Sequence, residues 1–228
     1  MSPKIAVILA GAGVYDGSEI TESVAILVHL TRGGAEVSCF APDKNQMHVV
    51  NHMTGSEEEN PRNVLVESAR IARGKIEPIT KCSAEDFDAV VFPGGFGAAK
   101  NLSDFANKYQ EMTVDPEVER VVKEFHTAKK VIGLSCIAPV IAAKLIPGVE
   151  ITMGMPTESE TFPHAGAVGA AKAMGANHVE TDIPCAKAIV DKENLVVTCA
   201  AYMYAGKAFE IFDSCGAMVD GVYGLLSK

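Results

Sequence analysis

The sequence predicts an α/β protein whose mostly parallel central sheet carries helices on both faces. Short apolar strands alternate with helical stretches along most of the chain, the order that builds strand–helix–strand units. The strands are rich in Val, Ile and Leu, as strands covered on both faces are. No internal repeat, low-complexity tract or linker interrupts residues 1–228, so a single domain is expected.

Ile5 to Leu9 is the first strand, and Gly11, Gly13 and Gly17 loosen the loop that follows it. Asp16 and Ser18 are candidate caps for a helix running to about Thr31, with Asp16 and Glu19 at capping-box spacing. Gly33-Gly34 ends that helix, and Val37 to Phe40 is the second strand. Residues 43–60, with Glu57, Glu58 and Glu59 in a row, read as a solvated surface excursion. Pro61 is expected to open a helix capped by Asn60, with Val64, Leu65, Ala69 and Ile71 on its apolar face. Phe87 to Phe92 is a strand leading into Pro93-Gly94-Gly95-Phe96-Gly97. Val114 to Ala128 reads as a helix, Val131 to Leu134 as a buried strand, and Ile137 to Leu145 as a short helix. Beyond these come a strand at Val149 to Met153, a helix at Ala165 to Met174, a hairpin of Ala188 to Val190 with Leu195 to Cys199, and a closing helix at Ala205 to Leu226.

Of the 228 residues, 48% are hydrophobic and 21% charged, which fits a substantial core. The net charge is −9 and no dense Lys/Arg cluster occurs, so a nucleic-acid partner is not expected. No apolar run reaches the ~18 residues of a membrane span. The six cysteines, Cys39, Cys82, Cys136, Cys185, Cys199 and Cys215, have irregular spacing and form no C-x-x-C pair. They read as free thiols of a reducing, intracellular compartment rather than as a disulfide framework. The chain enters its first strand almost at once, with no signal peptide or Arg-rich transit segment ahead of it.

The strongest chemical feature is Lys130-Val131-Ile132-Gly133-Leu134-Ser135-Cys136-Ile137-Ala138-Pro139. A buried strand runs into a small-residue turn and a helix follows at once. Ligands of parallel sheets bind beyond the carboxyl ends of strands, so a cysteine at this turn faces a crevice. It also lies near the positive end of a helix, which favours thiolate. The bland alternative is an inert buried cysteine; the strand–helix junction argues against it. The Gly94-Gly95 loop also follows a strand and can present bare N–H groups as an oxyanion hole. Glu22, among apolar or small neighbours near a helix start, is a candidate for proton transfer, with a simple dipole-favoured acid as the alternative. Gly11-Ala12-Gly13 lacks the third glycine of a dinucleotide fingerprint, since Asp16 stands there, and no Walker sequence occurs. His48 and His52 are four apart, but no third ligand is near and the segment reads as loop, so no metal and no cofactor are expected. His126 complements a helix end, and His164 sits in a polar loop without an assignable role.

Five stretches taken together resemble the ThiJ/PfpI superfamily of class I glutamine-amidotransferase-like proteins. They are Gly13 to Ile20, Phe40 to Asp43, Arg62 to Leu65, Pro93 to Leu102 and Cys136 to Pro139. The match is strongest to its ElbB-like glyoxalase branch, which includes the mitochondrial ES-one proteins of vertebrates. The resemblance implies a flavodoxin-like three-layer sandwich, often dimeric. It implies that Cys136 is the reactive cysteine, that Glu22 contacts it, that Gly94 and Gly95 form the oxyanion loop with Phe96 and Ile137 beside it, and that this cysteine oxidises readily. One departure stands out. Related enzymes carry a His on the strand after the elbow helix, and Thr152-Met153-Gly154 supplies none. That argues against glutamine hydrolysis and peptidase activity, which need a base for the thiol and an acid for the leaving amine.

The expected activity is therefore a weak, cofactor-independent, lyase-type glyoxalase acting on a small aldehyde. Cys136 would form a hemithioacetal with glyoxal, Glu22 would shuttle protons and glycolate would leave. The alternative is a non-catalytic stress protein with an oxidisable Cys136. A side chain from the 43–60 excursion, such as His52, is a candidate substitute for the absent His. The resemblance also implies a homodimer, cytoplasmic in a bacterium and mitochondrial in a eukaryote after loss of a transit peptide.

Overall fold

The computed structural model describes residues 2–182 and 187–227; Cys185 lies outside them. The main sheet has seven strands. In chain order they are β1 (Lys4–Ile8), β2 (Glu36–Ala41), β3 (Ile76–Pro78), β4 (Ala89–Phe92), β5 (Val131–Ser135), β8 (Ile189–Asp191) and β9 (Val196–Cys199). Their spatial order is β3-β2-β1-β4-β5-β9-β8, and only the β8–β9 pairing is antiparallel. The short strands β6 (Glu150–Ile151) and β7 (Asn177–His178) form a separate parallel pair. The sequence reading of Val149 to Met153 as a strand is thus shortened, and it lies outside the main sheet.

The helices are α1 (Ile20–Arg32), α2 (Val64–Ile71), α3 (Phe96–Lys100), α4 (Phe105–Lys108), α5 (Pro116–Thr127), α6 (Pro139–Leu145), α7 (Gly166–Ala173) and α8 (Ala208–Leu226). They cover both faces of the sheet, with α1 packed along α8 and α8 across β5 and β9, while α5 packs on β5 and on α6. This is the flavodoxin-like α/β architecture. The middle strands β4 and β5 are buried at every residue, which is why they read as apolar runs.

Helix starts differ from the sequence reading: α5 opens at Pro116 rather than Val114 and α8 at Ala208 rather than Ala205, and α1, α2 and α6 differ as follows. Glu19 caps α1, its carboxylate accepting from the Glu22 N–H at 2.7 Å. Ser18 instead accepts from Ala10 N–H, and Asp16 accepts from Val50 N–H at 2.7 Å. Helix α2 opens at Val64 with Asn63 as its cap, not at Pro61 with Asn60. Asn63 wins because its Oδ1 is placed to accept from Val66 N–H, three residues on. Helix α6 opens only at Pro139, leaving Cys136 to Ala138 in a turn.

The order of strands reverses at β1: β2 and β3 extend to one side, β4 and β5 to the other. The carboxyl ends of β1 and β4 therefore open a crevice, where open α/β sheets bind ligands. The 43–60 segment is largely exposed, yet it is stitched to this end of the sheet, with Met47 N–H donating to Asn101 Oδ1 at 2.9 Å.

Candidate active site

Cys136 is the first residue beyond β5 and holds φ +59°, a left-handed conformation that costs a non-glycine residue about 1–2 kcal/mol. Its N–H is fixed to Cys199 O at 3.0 Å. The sharp turn aims the sulfur out of the sheet into a cleft, and the residue is 7% exposed.

Glu22, in the first turn of α1, is fully buried against this turn. Its Oε2 accepts from Gly94 N–H at 2.9 Å and from Ser135 O–H at 2.8 Å, and its Oε1 accepts from Tyr202 N–H at 3.2 Å. Burial, and next the charge of Glu19, push the Glu22 carboxyl up to about 7; the three donors only partly oppose them. Glu22 Oε2 and the Cys136 Cβ both lie against Gly94, so the carboxylate sits beside the thiol.

The thiol itself is pushed well above its ordinary value, first by burial and then by the Glu22 charge, against the N–H groups of Gly95 and Ile137. This corrects the expectation of a thiolate favoured by the helix dipole. Helix α6 is short and begins three residues beyond the sulfur, while the desolvation and the adjacent carboxylate act directly on it. Once Glu22 holds a proton, its charge no longer opposes thiolate. The charge state of each group therefore bears on that of the other.

The glycine loop is narrower in role than expected. Gly94 N–H is shared by Glu22 Oε2 and, at 3.0 Å, Ser135 Oγ, and Phe96 N–H donates to Val14 O at 2.8 Å. Gly95 and Ile137 are left to point N–H groups at the sulfur. A side chain at Gly94 would put its Cβ 2.4 Å from the Cys136 Cβ and 2.7 Å from Glu22 Oε2. Gly95 sits at φ +93° with no room either, 2.3 Å from Glu19 N.

The cleft holds about 390 Å³. Phe96, Phe105, Tyr109 and Ile137 give it apolar walls, and Glu19, Lys100, Tyr202, His48 and His164 add polar groups. Lys100 donates to Tyr15 O at 2.9 Å, its ammonium 5.5 Å above the Phe96 ring. His52 does not line the cleft. It accepts from Tyr15 N–H at 3.2 Å and stacks on the Tyr15 ring. The two cleft histidines are His48 and His164, and no local pattern in the sequence indicates that they meet on the same wall as Cys136. His126 pairs with Asn194 at 3.2 Å, away from the site. Among the described residues no group of three His, Cys, Asp or Glu is placed to hold a metal ion. Cys39, Cys82, Cys199 and Cys215 are free and buried, and burial pushes Cys39 up to about 11 and Cys82 to about 12.

The missing His has a steric counterpart. Gly154 lies at φ +90°, and a Cβ there would fall 2.5 Å from the Phe162 ring, which fills the space a side chain would need.

A family model described as DJ-1/PfpI matches residues 3–210. The chain belongs to the DJ-1/PfpI family. It is 55% identical over 227 residues to the rat "ES1 protein homolog, mitochondrial", covering 99% of this chain and 85% of that one. It is 54% identical to the human "Glutamine amidotransferase-like class 1 domain-containing protein 3, mitochondrial", covering 99% of this chain and 84% of the relative. A solved structure from Ehrlichia chaffeensis, described as an isoprenoid biosynthesis protein with an amidotransferase-like domain, superposes with TM-score 0.87 at 38% identity, covering 99% of this chain and 100% of its own. Drosophila DJ-1beta, at 17% identity and TM-score 0.54, covering 100% of this chain and 97% of its own, shares the fold. Within this DJ-1/PfpI protein, the elbow cysteine, the buried glutamate and the glycine loop form one contiguous site.

Proposed function

We propose that the protein converts glyoxal to glycolate without a cofactor, through a covalent intermediate on Cys136. The observation that carries this reading is the cleft-lining Cys136 held beside the buried Glu22 carboxyl, both against Gly94. With the thiol proton on Glu22, the Cys136 sulfur bonds to one aldehyde carbon. The carbonyl pair moves to oxygen, which faces the Gly95 and Ile137 N–H groups and takes up a proton, giving a hemithioacetal. The Glu22 carboxylate then removes the C–H proton beside sulfur. The electron pair shifts toward the neighbouring aldehyde, whose oxygen is protonated, and an enediol forms. Return of a proton to that neighbouring carbon and loss of the hydroxyl proton beside sulfur give a thioester. Water cleaves the thioester and restores the thiol, so glyoxal and water become glycolate and a proton. A carboxyl near 7 suits both halves of the proton transfer, because it gives and takes near neutrality. No amine leaves in this sequence, so the blocked Gly154 position does not prevent it.

The test is glycolate formation by the wild type and by Cys136→Ser. Loss of turnover in the variant is expected; an unchanged rate overturns the role of the sulfur.

A second reading, a redox sensor, is favoured by one observation: of the described cysteines only Cys136 lines the cleft. Mass spectrometry after mild peroxide distinguishes the two, since selective Cys136 oxidation without glyoxal turnover supports the sensor. The exposed apolar Ile20 and Val24, one turn apart on α1, and Val66 on α2 support a homodimer, checked by light scattering. For a eukaryotic host, the relatives' names support a mitochondrial location; for a bacterial host the cytoplasm is the corresponding proposal.

A further inference from the structure

We infer that His164 is the general base that activates the water releasing product from Cys136; the inference rests on the thioester just described. Hydrolysis needs a proton acceptor on the wet side of the carbonyl, opposite the sheet. Glu22, which serves the C–H proton at the inner wall of the site, has no exposed surface and does not line the open cleft through which water enters.

Among the groups on the cleft wall, most are committed elsewhere. Glu19 turns its carboxylate back to cap α1, and Lys100 is a cation donating to Tyr15 O. His48 meets Glu57 through Nδ1 at 3.6 Å, which leaves its Nε2 as the rival base included in the test below. Glu158 is exposed, and a solvated carboxylate is a weaker base than imidazole.

His164 differs in being both solvent-exposed and held in place. Its ring meets the Phe96 ring edge-on, with centroids 5.9 Å apart and planes at 86°. Phe96 directly follows Gly95, whose N–H faces the sulfur. The loop bearing His164 is pinned two residues earlier by Phe162, which occupies the hollow over Gly154. Ser159 and Phe162 exchange main-chain hydrogen bonds at 3.2 and 3.3 Å, and Thr161 O accepts from Ala205 N–H at 2.8 Å. The ring that closes the Gly154 position thus anchors the segment that delivers an imidazole to the cleft.

In the step itself, an imidazole nitrogen takes one proton from water. The oxygen bonds to the thioester carbon, and the carbonyl pair moves to the oxygen at the Gly95 and Ile137 N–H groups. Collapse breaks the carbon–sulfur bond with its pair going to sulfur, and the imidazolium proton returns to the Cys136–Glu22 pair. Thioester and water become thiol and glycolic acid, with no other reactant.

The experiment compares wild type and His164→Asn with glyoxal, following glycolate and the intact protein mass. Position 164 is exposed, so the substitution leaves the core untouched. In the variant, turnover is expected to fall about 100-fold, the low end of general-base effects. An adduct of one glyoxal should accumulate on Cys136, hydroxylamine should release it as glycolohydroxamate, and free imidazole should restore part of the rate. Three results overturn the assignment while leaving the proposed function intact. These are wild-type turnover in His164→Asn, absence of any adduct in that variant while the wild type works, or the same stall in His48→Asn instead. A wild-type protein that forms neither adduct nor glycolate removes both.

Discussion

Glu22→Gln should change sign in its effect on stability as pH rises. The folded protein holds the Glu22 carboxyl at about 7, against 4.5 for the unperturbed group, so the native state binds the proton more tightly than the unfolded chain. A raised carboxyl contributes stability that is fully present below 4.5 and is lost as pH climbs to about 7. At 1.36 kcal/mol per unit, that loss amounts to about 3 kcal/mol. Glutamine carries no charge and escapes it. The substitution has a separate, pH-independent cost. One carboxyl oxygen becomes an NH₂, and the longest contact, from Tyr202 N–H at 3.2 Å, is the one it would forfeit, a loss of about 1 kcal/mol. Glu22→Gln should therefore be about 1 kcal/mol less stable than wild type near pH 4.5 and about 2 kcal/mol more stable at pH 8. Urea unfolding across this range, with unchanged m-values, reads the difference directly. A difference constant with pH, or a variant weakest at pH 8, refutes the account of a buried carboxyl costly to ionise.

The same substitution should speed alkylation of Cys136 by iodoacetamide at pH 8, because the carboxylate that opposes the thiolate is gone; slower alkylation would place the effect elsewhere. Gly94→Ala should abolish turnover and lower stability by roughly 2 kcal/mol or more, since its Cβ would meet both Cys136 and Glu22; a thermal melt and a glyoxal assay check both. Asn63→Ala should cost about 1 kcal/mol through loss of the α2 cap while leaving the kinetics of glyoxal turnover unchanged. Asn60→Ala should do nothing measurable to the same melt, since Asn60 caps no helix.

The buried middle of the sheet was legible because interior parallel strands are largely apolar, as in Val131 to Leu134 of β5. Helix α5 was legible for the complementary reason: Val118, Val121, Val122 and Phe125 repeat on one face behind an Asp-Pro start. Strand β3 was not, because Ile76-Glu77-Pro78 is an edge strand, short and only partly buried. Helix α3 hid inside a glycine-rich loop whose composition argues against helix. At the site, Cys136 and Glu22 could be read from a junction and from apolar neighbours. The direction of the thiol's shift could not, because it follows from burial and from a carboxylate more than 100 residues away in the chain. Lys100 meets Phe96 at i,i+4 on α3, but only once that helix is known; His164 reaches the cleft through packing against Phe96, an association no spacing rule encodes.

The carboxyl of Glu22 ties together α1, the loop after β4, the end of β5 and the turn after β9. Segments as far as 180 residues apart in sequence meet on two oxygen atoms. In the proposed reaction, reagent and keystone are thus the same group. The protein cannot retune its acid without loosening the arch, nor shift the arch without moving the acid, so evolution at this position is confined to changes that satisfy both demands at once.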